Sequence, residues 1–144
     1  MRIATWNVNS VNARLPTVLA WLEQAAPDVA CFQEIKCVDE KFPREAFESL
    51  GYNVETHGQK SYNGVAVLSK RPIEVLATRL PGDPDDAEAR YIEVFTGGIR
   101  AAYVPLPGDS AANVVPGAEM DVIISEASEK NPTTEGVAKV NGLV

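Results

Sequence analysis

Two stretches of the 144-residue sequence place polar donors where an apolar run gives out: Trp6-Asn7-Val8-Asn9 and Phe32-Gln33-Glu34-Ile35-Lys36. A carboxylate such as Glu34 is the hard oxygen ligand that Mg²⁺ prefers. One is enough when phosphate and water complete an octahedral shell, and Asn7 can orient that carboxylate or accept from solvent beside the ion. A third stretch, Gly58-Gln59-Lys60-Ser61-Tyr62-Asn63-Gly64, offers a cation, an aromatic ring and an amide. Lys60 and Asn63 suit a phosphate, and Tyr62 suits stacking on a sugar or base. Arg90 could also reach a phosphate. Each has a plainer reading: a solvated rim carboxylate, a surface turn using Asn-Gly geometry, and an arginine paired with Asp85, Asp86 or Glu88. Residue types alone leave both readings open.

Other chemistries fare worse. Cys31 and Cys37 are the only cysteines, without CxxC spacing, and His57 is the only histidine. A Cys/His zinc site has too few ligands, and a histidine-based triad would have to use His57. Cys31 lies in an apolar run and is expected to be a buried, reduced thiol. A net charge of −7, from 20 acidic against 13 basic residues, argues against whole-surface binding to a polyanion but leaves room for a local basic groove. No apolar run approaches the roughly 20 residues of a membrane-spanning helix. Met1-Arg2-Ile3 leads into a strand pattern instead of an export signal, so no membrane partner and a cytoplasmic location are expected.

The elements that must position these residues follow from periodicity. Residues 2–8 alternate, with Ile3, Thr5 and Asn7 on one face and Ala4, Trp6 and Val8 on the other, as in a strand. Leu15, Val18, Leu19 and Leu22 have helical spacing, and that helix must end before Pro27. Residues 28–34 read as a mostly buried strand. A right-handed β-α-β crossover makes the two strands parallel, with their carboxyl ends on one rim, where open α/β sheets place ligands. A short helix is expected over 43–50, then strands over 52–57, 64–69, 73–78, 91–96 and 99–104. Gly97-Gly98 marks a hairpin, and 81–86 a loop. From Pro105 the pattern degrades; Met120, Ile123, Ile124 and Ala127 favour a helix, with a strand through Val122-Ile123-Ile124 as the alternative.

The order of segments narrows the chemistry. Ile-Ala-Thr-Trp-Asn-Val-Asn-Ser-Val at 3–11, Pro-Asp-Val-Ala-Cys-Phe-Gln-Glu-Ile-Lys at 27–36 and Gly-Gln-Lys-Ser-Tyr-Asn-Gly-Val-Ala at 58–66 closely resemble the exodeoxyribonuclease III group of abasic-site endonucleases, in the endonuclease/exonuclease/phosphatase superfamily. The resemblance covers roughly residues 1–100. It implies an α/β fold, the N-terminal half of an α/β/β/α sandwich, with a mixed sheet, helices on one face and an irregular C-terminal segment. It implies Mg²⁺-dependent hydrolysis of DNA phosphodiesters at abasic sites and 3′ ends, with Mn²⁺ as an alternative ion and double-stranded DNA as partner. Asn7 and Glu34 become the catalytic metal pair, and Lys60, Tyr62, Asn63 and Arg90 the DNA-facing residues.

The same resemblance leads one to look for a Gly-Asp-x-Asn motif, a further aspartate and a late histidine. Gly108-Asp109 is followed by Asn only at 113, and no histidine follows His57. The expectation is therefore a truncated member with an incomplete catalytic set, organised as a half-domain over 1–104 and a divergent tail over 105–144. Its uncovered sheet face would favour self-association. The alternatives are a noncatalytic DNA-binding or assembly module, and a phosphodiesterase acting on other phosphate esters.

Overall fold

A computed structural model describes residues 1–79, 82, 85, 87–103, 113–114, 120–126 and 134–140. β1 (Arg2–Asn7), α1 (Leu15–Ala25) and β2 (Val29–Gln33) come first; a 3₁₀ turn (Asp39–Lys41) and α2 (Arg44–Glu48) follow. Then come β3 (Asn53–His57), β4 (Val65–Ser69), β5 (Ile73–Ala77), β6 (Ile92–Thr96) and β7 (Ile99–Tyr103). β8 (Asn113–Val114), β9 (Met120–Glu126) and β10 (Thr134–Val140) are the last described strands. One sheet has the order β10-β9-β1-β2-β4-β3, the other β5-β6-β7-β8. The expected loop over 81–86 lies mostly outside the described residues, as does the segment from 105 onward apart from β8, β9 and β10.

β1 and β2 are parallel, as the crossover requires, and β2 pairs antiparallel with β4. Antiparallel pairing brings the start of β4 to the rim where β1 and β2 end. α1 carries Pro in its first turn, where no backbone donor is lost. It stops at Ala26, which takes a left-handed conformation and donates its N–H to the Leu22 carbonyl at 2.9 Å.

Alternation along β1 builds two cores. Ala4, Trp6 and Val8 join Val18, Trp21, Leu22, Phe32 and Phe47 in the helix-facing core. There the Trp6 ring meets Trp21 edge-on at 5.1 Å and Phe32 at 6.1 Å. The opposite face, with Ile3, Val29, Cys31, Val65 and Val67, packs with Ile92, Val94, Ile99 and Ala101 of the second sheet. The result is helices on one face of a mixed sheet and a second sheet on the other.

Two expectations are corrected. Met120–Glu126 is strand β9, not a helix, and runs parallel to β1 with Ile3 opposite Val122 and Asn7 opposite Glu126. The β-branched Val122-Ile123-Ile124 run suits a strand, and the ladder occupies backbone donors and acceptors that β1 would otherwise present as an open edge. The inner face expected to lie bare is, along β1, β2 and β4, packed against β6 and β7. Among the described residues, the large apolar side chains left exposed along the strands are Val75, Leu76 and Phe95 on β5 and β6.

Candidate active site

The rim begins where β1 and β2 stop being regular. Parallel register sets Asn7 opposite Gln33, so Glu34 is the first residue past the end of β2. Asn9, Ser10, Glu34 and Lys36 all have left-handed φ, at 42°, 81°, 51° and 55°. Each such conformation costs a non-glycine residue roughly 1–2 kcal/mol. Backbone hydrogen bonds hold the two turns together: Val8 N–H donates to the Gln33 carbonyl at 3.0 Å, Ser10 N–H to Glu34 at 2.8 Å and Val11 N–H to Ile35 at 3.2 Å. Asn7 Oδ1 accepts from the Asn9 N–H at 3.1 Å, which fixes the amide and leaves the oxygen a second lone pair.

The 58–64 loop is stitched to the same turns. Ile35 N–H donates to the Gly64 carbonyl at 3.2 Å and Lys36 N–H to Asn63 at 2.9 Å, while Gly64 N–H donates to Ala89 at 2.8 Å. Gly64 has φ +87°, and a Cβ there would sit 2.5 Å from Ile35 Cγ1, so only glycine fits without a shift. Gln59 Oε1 clamps the loop by accepting from Asn63 Nδ2 at 3.2 Å and the Ala89 N–H at 2.7 Å. Asn63 Oδ1 in turn accepts from Arg90 Nε at 3.3 Å, and the same nitrogen pairs with Glu88 at 2.8 Å.

The structure thus sets Asn7 and Glu34 at neighbouring strand ends, ties Asn63 to the turn after β2 through the Lys36 N–H, and joins Arg90 to Asn63 through their side chains. Arg90 makes the acidic pairing of its plainer reading and a bond to the candidate site as well. Asn63 is engaged at both ends of its amide, which suits it to hold Arg90. Lys60 and Tyr62 stand on the outer edge of the loop, both exposed, the ring at 71 %. His57 engages backbone: its Nδ1 lies 3.0 Å from the Tyr91 carbonyl oxygen. Burial pushes the Cys31 thiol up to about 12, so it stays protonated and inert at neutral pH.

Three residues had no assigned role in the sequence reading. Lys36 Nζ lies 3.5 Å from Glu34 Oε2 and donates to Asn9 Oδ1. Gln33 is buried; its Nε2 donates to Thr5 Oγ1 at 2.9 Å and to the Cys31 carbonyl at 2.8 Å, and its Oε1 has no hydrogen-bond partner among the described residues. Gln59 is the third. Lys36 and Gln33 flank Glu34 in the quoted segment, so the signal was their adjacency to the carboxylate.

Among the described residues no three His, Cys, Asp or Glu side chains converge on one point. The donors at the rim are a half-exposed carboxylate and an oriented amide oxygen. Such a set of oxygen donors fits a hard divalent cation that keeps several waters.

The sequence pattern of the Endonuclease/Exonuclease/phosphatase family matches residues 4–132. Exodeoxyribonuclease III of Haemophilus influenzae is 44 % identical over 92 residues, 64 % of this chain and 34 % of that protein. The chain spans about a third of the length of the curated relatives it matches. Among solved structures, an AP endonuclease from Archaeoglobus fulgidus superposes with a TM-score of 0.69 at 29 % identity, covering 87 % of this chain and 56 % of that one. The 3′ phosphatase from Neisseria bound to a product DNA hairpin gives 0.67 at 28 % identity, covering 86 % and 56 %.

Proposed function

We propose, for a chain that belongs to the endonuclease/exonuclease/phosphatase family and is similar to exodeoxyribonuclease III, that its rim serves Mg²⁺-dependent hydrolysis of DNA phosphodiesters at abasic sites and 3′ ends. The observation that carries this is the joining of Glu34, Asn7, Asn63 and Arg90 through one set of backbone and side-chain bonds at the carboxyl ends of two parallel strands.

Glu34 and Asn7 would hold the divalent ion, Mg²⁺ or Mn²⁺. Once bound, that ion would offset charge on the phosphoryl oxygens and favour ionisation of a water. The remaining residues bind and orient. Arg90, kept in place by Asn63 and Glu88, presents its guanidinium to a phosphate, where a planar fork gives direction as well as charge. Lys60 adds a second cation on the exposed loop, and Tyr62 offers a face for a sugar or base next to a lesion. A few contacts of this kind suffice in an acidic chain, because the number of phosphates met sets the electrostatic contribution, not the total charge.

A noncatalytic DNA-binding module is the second reading, favoured by Lys60 and Tyr62, which stand exposed on the outer edge of the 58–64 loop. Val75, Leu76 and Phe95, which are 39 %, 43 % and 46 % exposed, are the apolar side chains that self-association would use. Incubating the purified chain with an abasic-site duplex and Mg²⁺ tests these readings together. Cleavage that Glu34→Ala abolishes supports the nuclease. Retarded migration of the duplex without cleavage supports the module, and neither result contradicts both.

A further inference from the structure

We infer that Lys36 is a tethered counter-cation: its ammonium occupies the oxygens of Glu34 and Asn9 until a divalent ion displaces it. The inference rests on the reading of Glu34 as a metal ligand. Lys36 Nζ lies 3.5 Å from Glu34 Oε2 and donates to Asn9 Oδ1. All three residues have left-handed backbone, so their meeting is imposed by the two turns and not by side-chain length alone. Ser10 N–H on the Glu34 carbonyl and Lys36 N–H on the Asn63 carbonyl fix those turns at 2.8 and 2.9 Å.

The exposure of the pair decides whether such a contact can give way. The Lys36 and Glu34 side chains are 32 % and 45 % exposed, and an ion pair this open to solvent is weak and screened by salt. It can hold a carboxylate in place without locking it. A lysine stem has several rotatable bonds, so the ammonium can leave the carboxylate while the backbone turn stays put. Once displaced, it is a mobile positive charge at the edge of the site facing the 58–64 loop, to which Lys36 is already bonded through Asn63. There it can meet a substrate phosphate.

Competition and support predict opposite signs. If Lys36 competes with the ion, removing its charge strengthens metal binding; if it merely holds Glu34 in position, removal weakens it. The probe is Mn²⁺, titrated into the purified chain and followed by the electron paramagnetic resonance signal of the free ion, with no substrate present. Lys36→Gln is expected to lower the Mn²⁺ Kd about tenfold at low salt, with the gap narrowing as salt is raised. Lys36→Arg keeps the charge and should stay near wild type, with circular dichroism confirming the fold of each variant. An unchanged or higher Kd in Lys36→Gln overturns the inference. Glu34→Gln reports on the reading beneath it: lost Mn²⁺ binding upholds the metal site whatever Lys36 does, whereas unchanged binding overturns both.

Discussion

The middle of β1, β2 and β4 and the rim at their ends are built from the same strands by opposite rules. In the middle, all five residues of β2 and all five of β4 are buried, and Phe32, the valines, Leu68 and small residues such as Ala30 and Ala66 fill the two faces. At the rim, four non-glycine residues within the two turns take left-handed φ, and a carboxylate and an ammonium stand part-exposed. Unstrained ladders and two packed faces supply stability; the rim consumes part of it to hold polar groups in directions that relaxed turns would not give. Substitutions in the two regions should therefore differ in kind: those in the strand interior should act on folding, and those at the rim on the proposed ion and phosphate binding.

The largest effect is expected in the strand interior. Phe32 touches Trp6 and Phe47 edge-on at 6.1 and 6.0 Å and is fully buried. Phe32→Ala should cost about 3–5 kcal/mol in urea unfolding, and a cost near zero would mean that the helix-facing core is not packed as described.

Gly64→Ala should come next, because it violates a left-handed φ and drives a Cβ to 2.5 Å from Ile35 Cγ1. A loss of about 1–3 kcal/mol is expected in the same measurement. Gly51→Ala is the control, since its φ of +89° carries the backbone penalty but nothing lies within 4 Å of the added methyl. Equal losses at the two positions would remove the argument that the 58–64 loop is held by close approach.

A smaller, pH-dependent effect belongs to the second sheet. The Arg100 hydrogen bond, followed by that from the Tyr91 hydroxyl, lowers the Glu93 carboxyl below its ordinary 4.5. A carboxylate with a depressed folded pKa contributes stability that is fully present above 4.5 and fades as pH falls through the lowered value. Glu93→Gln should therefore flatten the acid limb of the stability curve below that point, and parallel acid limbs in the two proteins would contradict the assignment.

The smallest stability effect should sit at the chemical centre. Glu34→Ala is expected to change unfolding free energy by no more than about 0.5 kcal/mol, while removing divalent-ion binding. A large destabilisation would make Glu34 a structural residue and erase the contrast between the regions.

Much of this was legible before any coordinates. Alternation in 2–8, the 3.6-residue spacing from Leu15 and the crossover rule together place Asn7 and Glu34 on one rim, because each depends on near-neighbour pattern. The Gly97-Gly98 hairpin follows from local turn chemistry in the same way. β9 was misjudged because Met120, Ile123, Ile124 and Ala127 satisfy a helical period. What decides the matter is the open edge of β1, a partner more than a hundred residues away in sequence that no local window contains. Packing of the inner face of β1, β2 and β4 against β6 and β7 is likewise a tertiary fact. At the site, residue types announced the donors but not their bonds. That Gln59 clamps Asn63, that Asn63 holds Arg90 and that Lys36 sits against Glu34 depends on left-handed turns, which sequence marks at Gly64 but not at Glu34 or Lys36.

The central claim is that the ends of β1 and β2 form the ion-binding centre. Its most direct test is a ¹⁵N-correlation spectrum recorded with trace Mn²⁺, whose unpaired electrons broaden amide signals near the ion. The account predicts selective broadening at residues 7–10 and 33–36, relieved by excess Mg²⁺ and absent in Glu34→Gln. Broadening centred instead on the acidic residues around 85–88, with the rim signals untouched, would contradict it.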